Sequence, residues 1–168
     1  MACSFFNTVN YMNATELFFS TIQSGKTDNI KLQLQHNPDL VKVKDARGFT
    51  ALIFATYFDK DDITKILIDH NADVDGRDAS GNTALIGVAF KGNVEVAKFL
   101  IEKGANVNAI NKTGVSPLIF AAMYNQKSMI DLLIKNGVDK TVKDAAGKTA
   151  SDYAEEKGFS IVHKLLIS

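Results

Sequence analysis

The sequence predicts an all-α solenoid of about five stacked helix–turn–helix units with short β-hairpin loops. Three observations predict it. An Asp/Asn-x-x-Gly-x-Thr/Ser motif starts at positions 45, 78, 111 and 144, each 33 residues after the last and without a gap. Two apolar stretches with helical spacing follow each start, and a second apolar pair recurs as Ile66–Leu67, Phe99–Leu100, Leu132–Leu133 and Leu165–Leu166. A unit of this size cannot bury its apolar face alone, so it must stack on its neighbours.

Each element follows from local chemistry. The opening Asp45, Asp78, Asn111 and Asp144, with Gly48, Gly81, Gly114 and Gly147 three residues on, are turn residues. Thr50, Thr83, Ser116 and Thr149 then stand as helix N-caps, and Pro117 falls at the first helical position, where its missing N–H is not needed. A short first helix carries Leu52/Ala55, Leu85/Val88 and Leu118/Ala121 three residues apart. A second helix carries Ile63, Ile66 and Leu67, matched by Val96, Phe99 and Leu100 and by Met129, Leu132 and Leu133. Gly104 and Gly137 stop the second helices.

These residues resemble the ankyrin repeat. The stretch "GNTALI…GNVEVAKFLIEKGANVNA" lies close to the family pattern, and the resemblance covers 45–168. Two departures stand out. Ile53, Ile86 and Ile119 replace the family histidine, so its hydrogen bonds must be supplied otherwise. Asp59 and Asn125 replace the glycine between helices in two units; both tolerate left-handed backbone. Residues 14–44 read as a divergent first unit with one extra residue near Asn37–Pro38, and Glu16, Ser20, Gln23 and Lys26 offer it a polar outer face. Central units follow at 45–77, 78–110 and 111–143. A C-terminal capping unit spans 144–168, where Ser151, Asp152, Glu155 and Glu156 replace apolar positions. The chain ends directly after the last second helix, so we expect a complete five-unit stack in a single domain, preceded by a segment at 1–13. The segment "GNTALIGVAFKG" also resembles small stand-alone bacterial ankyrin proteins.

Composition excludes several functions. Lys+Arg and Asp+Glu are both 19, so the chain lacks the basic excess of a general nucleic-acid or membrane-surface binder. The single cysteine, Cys3, rules out an internal disulfide framework. No apolar run is long enough for a membrane span. The start lacks a basic region and an apolar run, so we expect a cytoplasmic protein, with a periplasmic or secreted one as the alternative if a leader has been removed. "SGKT" at 24–27 and "AGKT" at 146–149 fail as phosphate loops, because Ser20 and Val142 stand where the first glycine belongs. His36, His70 and His163 have no partner at metal-ligand or nucleophile spacing. We therefore expect no enzyme, no metal and no cofactor. "NAT" at 13–15 and "NKT" at 111–113 match a glycosylation acceptor that matters only on a secretory route.

The stretch "TALIFATYF" at 50–58 ends on two large aromatics beside "DKDD", a water-facing run. By the resemblance, partner-facing slots are the second, third, fifth, thirteenth, fourteenth and last residues of a unit. These are Ala46, Arg47, Phe49, Tyr57, Phe58 and Arg77; then Ala79, Ser80, Asn82, Phe90, Lys91 and Ile110; then Lys112, Thr113, Val115, Met123, Tyr124 and Lys143. The set holds five aromatics, one methionine, five basic residues and no acid, in a chain of balanced charge. Aromatics, arginine and methionine are enriched in interface cores. The expected function is a non-enzymatic protein-binding module. Its groove would take a protein partner with an acidic and apolar surface, such as an enzyme that it inhibits, escorts or stabilises. The chain itself is expected to be a monomer when unbound. The alternative is a nucleic-acid-binding module that stacks bases in the basic, aromatic groove. Within 1–13, Phe5, Phe6, Val9, Tyr11 and Met12 form either a cover for the first unit or a docking arm, and Cys3 is a lipid-attachment candidate only if a longer precursor exists.

Overall fold

The computed structural model describes residues 12–168. Its helices come in five pairs. They are α1 (Ala14–Ser24) with α2 (Thr27–His36), α3 (Ala51–Tyr57) with α4 (Asp61–Asp69), α5 (Ala84–Lys91) with α6 (Val94–Glu102), α7 (Pro117–Met123) with α8 (Lys127–Lys135), and α9 (Ala150–Glu156) with α10 (Ser160–Ile167). A 3-10 turn at Pro38–Lys42 takes up the extra length of the first unit.

The hairpins are closed by their first side chain. One oxygen of Asp45 accepts the backbone N–H of both Arg47 and Phe49, at 3.0 and 2.8 Å. Asp78 does the same for Ser80 and Asn82, Asn111 for Thr113 and Val115, and Asp144 for Ala146 and Lys148. Among the described residues, the only isolated β-bridge pairs Lys44 with Thr50, so the hairpins do not build a core sheet. Successive hairpins touch through Lys112 N–H to the Ser80 carbonyl and Ala145 N–H to the Thr113 carbonyl. Gly114 has φ +76°, and a Cβ there would lie 2.9 Å from the Asp144 backbone. Both the turn and the stacking distance therefore require glycine at that slot.

The hydroxyls of Thr50, Thr83, Ser116 and Thr149 accept the N–H three residues on and cap the first helices. The backbone N–H groups of Ile53, Ile86 and Ile119 are among the cap donors, as any residue there would be, and their side chains are buried where the family carries histidine. Asp59 and Asn125 adopt φ +53° and +56°, the left-handed conformation that the substitution for glycine demanded.

First helices pack side by side in the order α1, α3, α5, α7, α9, and second helices form an outer layer. The core runs between the layers through Leu52, Leu85, Leu118, Leu67, Leu100 and Leu133. The second helices differ from the periodicity expected of them. Ile66, Phe99 and Leu132 are only partly buried, whereas Thr64, Ala97 and Ile130 are fully buried. The inward face is therefore the adjacent pair 63–64 with 67. In two of the three helices this turns a smaller residue, Thr64 or Ala97, inward; in the third Ile130 and Leu132 are of equal size. No described helix is long and apolar enough to cross a membrane.

Candidate functional site

The groove is walled by the hairpin tips on one side and the last turns of α3, α5 and α7 on the other. Tyr57 is 55% exposed, Tyr124 47% and Phe90 43%, so all three rings reach the surface from ordered helix ends. They do not form one stripe. Phe49, Phe54, Tyr57 and Phe58 make a first cluster, with Phe54–Phe58 centroids 4.6 Å apart and Phe49–Tyr57 centroids 6.0 Å apart. Phe90, Phe120 and Tyr124 make a second, with Phe90–Tyr124 at 4.5 Å and Phe90–Phe120 at 6.0 Å.

Between the clusters lies a cleft of about 300 Å³, lined by Phe49, Ile53, Tyr57, Ile86, Gly87, Phe90, Lys91 and Phe120, with Ser80 and Asn82 at the hairpin lip. Its floor is Gly87 on α5. The residue ten places into each unit is Phe54, Gly87, Phe120 and Tyr153, so three units carry a ring where this one carries hydrogen. Sequence reasoning passed over this slot because it followed the thirteenth and fourteenth positions. The aligned column already held the signal.

The remaining expected site residues are placed as follows. Phe58 is half-buried against Phe54 and belongs partly to the core. Met123, Phe49 and Val115 are also half-buried, while Ile110 is exposed. Lys112, Thr113 and Lys143 are exposed, as are Ala46, Ala79 and Ser80.

Three of the five cations are engaged within the chain. Arg47 pairs with Asp45 at 3.0 Å and lies over the Phe49 ring at 4.7 Å. Lys91 pairs with Asp59 of the preceding unit and donates to the Tyr57 carbonyl at 2.8 Å. Arg77 donates to the carbonyls of Gly81 and Ile110, tying two hairpins together. Arg77, Lys112 and Lys143 form no ion pair among the described residues. The basic groove expected from the slots is thereby reduced to a few charges without an ion pair. A cation that the slots omitted, Lys157, lies 5.8 Å from the Tyr124 ring.

At the C-terminal unit Tyr153 donates to Asp144 at 2.5 Å. That bond pushes the Tyr153 phenol up to about 12. Asp144 is drawn up by partial burial but held below the usual carboxylate value by the Tyr153 hydroxyl and the N–H groups of Lys148 and Ala146 together. Among the described residues no group of three His, Cys, Asp or Glu side chains is placed to hold a metal. Cys3, Phe5, Phe6, Val9 and Tyr11 lie outside the described residues; Met12 is exposed.

Comparison with known proteins fits this geometry. A family model described as ankyrin repeats, in three copies, matches residues 17–111 and again 88–168. No curated relative matches the chain. Ankyrin repeats are generally protein–protein interaction modules and typically non-enzymatic. The two matches overlap and together carry the divergent first unit as well as the four regular ones, so the chain belongs to the ankyrin repeat family.

Proposed function

We propose that this chain binds a folded protein, such as an enzyme that it inhibits, escorts or stabilises, through the groove between its hairpin tips and first helices. One observation carries the reading: Tyr57, Phe90 and Tyr124 stand exposed at helix ends, and the first two border an apolar cleft. Large exposed aromatics ringed by polar groups are the usual anatomy of an interface core. Their positions are set by stacked helices, so little ordering entropy is lost on binding. Nucleic-acid binding draws less support, because carboxylates of the same face neutralise Arg47 and Lys91 and phosphate binding needs a broad basic surface.

The test uses partner recovered by affinity capture from the source cell and titrated in purified form. Tyr57→Ala and Tyr124→Ala should each weaken binding by about 1–2 kcal/mol, as hot-spot truncations do, with little change in unfolding midpoint. Deleting residues 1–12 should leave most of the affinity. Lost binding in that deletion, with a double tyrosine variant that binds normally, moves the site to the N-terminal segment.

A further inference from the structure

Gly87 is a costly residue where it stands. It lies inside α5, where glycine is less favourable than alanine. Nothing in the backbone asks for it, since its N–H makes the ordinary helical bond to the Thr83 carbonyl at 3.2 Å and its φ is not positive. Nor does packing ask for it: a Cβ there would meet no atom within 4 Å. The hairpin glycines differ, as a Cβ on Gly48, Gly81 or Gly114 would press on the next hairpin. What Gly87 provides is space, in the slot that Phe54 and Phe120 fill in the flanking units.

We infer that the cleft over Gly87 receives one aromatic side chain of the bound protein, flanked by a carboxylate. This rests on the groove reading above and names its anchor. Ring walls stand on both sides, with Tyr57 and Phe49 on one and Phe90 and Phe120 on the other. An inserted ring would complete the row of aromatics across the groove, in edge-to-face contacts like those the flanking clusters already make. A volume of about 300 Å³ sits at the bottom of the range of roughly 300–1,000 Å³ for small-ligand pockets, which suits one side chain. The carboxylate follows from charge. Ser80 lines the cleft, and beside it, just outside the lining, the Arg77 guanidinium and the stem of Lys112 meet at Gly81. Arg77 donates to the Gly81 carbonyl, Lys112 N–H donates to Ser80, and a Cβ on Gly81 would lie 3.2 Å from the Lys112 side chain. Neither cation has an ion-pair partner among the described residues, and Asp78, which also lines the cleft, is buried with its oxygens accepting from Ser80 and Asn82.

The experiment titrates the full chain by amide NMR with three blocked tripeptides: acetyl-Asp-Phe-Asp-amide, acetyl-Asp-Ala-Asp-amide and acetyl-Lys-Phe-Lys-amide. The acidic phenylalanine peptide should shift the amides of Thr83, Gly87 and Lys91 saturably. The other two should bind at least about fivefold more weakly, as expected when a buried anchor or its charge partner is removed. Gly87→Phe should abolish the effect and Gly87→Ala should keep it. Phe54 and Phe120 show that the slot accepts a ring, so the filled variant should fold. No saturable shift with the acidic phenylalanine peptide, equal binding by the alanine peptide, or full binding to Gly87→Phe each overturns the inference. Free phenol binding as well as the peptide assigns the cleft to a small aromatic ligand and overturns it too. Against the captured protein partner the two readings separate. If Gly87→Phe binds it normally while the double tyrosine variant does not, the groove stands and the cleft assignment falls. If both bind it normally, both fall.

Discussion

At the scale of single residues, the first side chain of each hairpin holds the turn. Asp78 is nearly buried, and its two oxygens accept the N–H groups of Ser80 and Asn82 and the Asn82 side-chain amide. Asp78→Ala leaves those donors unpaired and should cost about 1–3 kcal/mol, the usual penalty for a stranded buried group. Chemical denaturation measures it. Asp78→Asn should lose less, because Asn111 performs the same task with an amide oxygen in the next unit. These turns were legible in the sequence, since Asp or Asn with Gly three places on has few other uses. The fates of Arg77 and Lys91 were not. Apart from the Gly81 carbonyl that Arg77 also reaches, their partners lie 32 to 34 residues away, on the neighbouring unit, and no local pattern encodes contacts across a stack. Charge reversal at either residue should therefore lower the unfolding midpoint as well as slow association.

At the scale of elements, the helix pairs are unequal. Leu100 is fully buried in the middle of the stack, and Leu100→Ala should cost about 2–5 kcal/mol. A near-neutral result would mean that the central unit is wrongly phased. The last unit depends more on polar contacts. Thr149 and Asp152 cap α9 reciprocally, Lys148 pairs with Glu156 at 2.7 Å, and Tyr153 holds Asp144. Asp144 and Asp152 both lie below the usual carboxylate value, Asp152 through its bonds from Thr149. Their contribution is complete above the unfolded value of about 3.9 and is lost as pH falls through the lower folded values. Tyr153 is shifted the other way. Its contribution is present below the unfolded value of about 10 and is lost as pH rises toward about 12. Tyr153→Phe should lower the unfolding midpoint near neutrality and flatten its pH dependence at both extremes. Midpoints measured across pH check this, and an unchanged profile would remove the Tyr153–Asp144 lock from the account. The sequence marked this unit as a polar cap from Ser151, Asp152, Glu155 and Glu156. It did not reveal that Asp152 caps a helix and Glu156 neutralises a lysine, because both roles depend on the fold of the side chains around them. Nor did it reveal that the exposed face of α10 keeps Ile161 and Ile167.

At the scale of the whole molecule, the repeat sets the architecture and its interruptions shape the proposed docking face. Regular spacing predicted the four in-phase units and their helix caps, because each follows from a residue that recurs in phase, whereas the first unit had to be read from a divergent stretch. The groove was legible in outline only. Tyr57, Phe90 and Tyr124 are exposed as their slots implied, while Phe58 turns inward and Arg47 and Lys91 are neutralised. The cleft arises from a missing side chain, which a search for conspicuous residues does not find. Gly87→Ala should raise stability by roughly 0.5–1 kcal/mol through helix propensity alone, which would show that glycine is not there for the fold.

A protein partner is proposed to dock on the hairpin and first-helix face. A photoreactive benzoylphenylalanine in place of Tyr57, Phe90 or Tyr124 on that face, of Lys65 or Lys98 on the outer helices, or of Phe6 in the N-terminal segment tests it in the source cell. One protein should crosslink from the three groove positions and from none of the outer or N-terminal ones. Crosslinks to a common protein from Lys65 and Lys98, or from Phe6, with none from the groove, would contradict it.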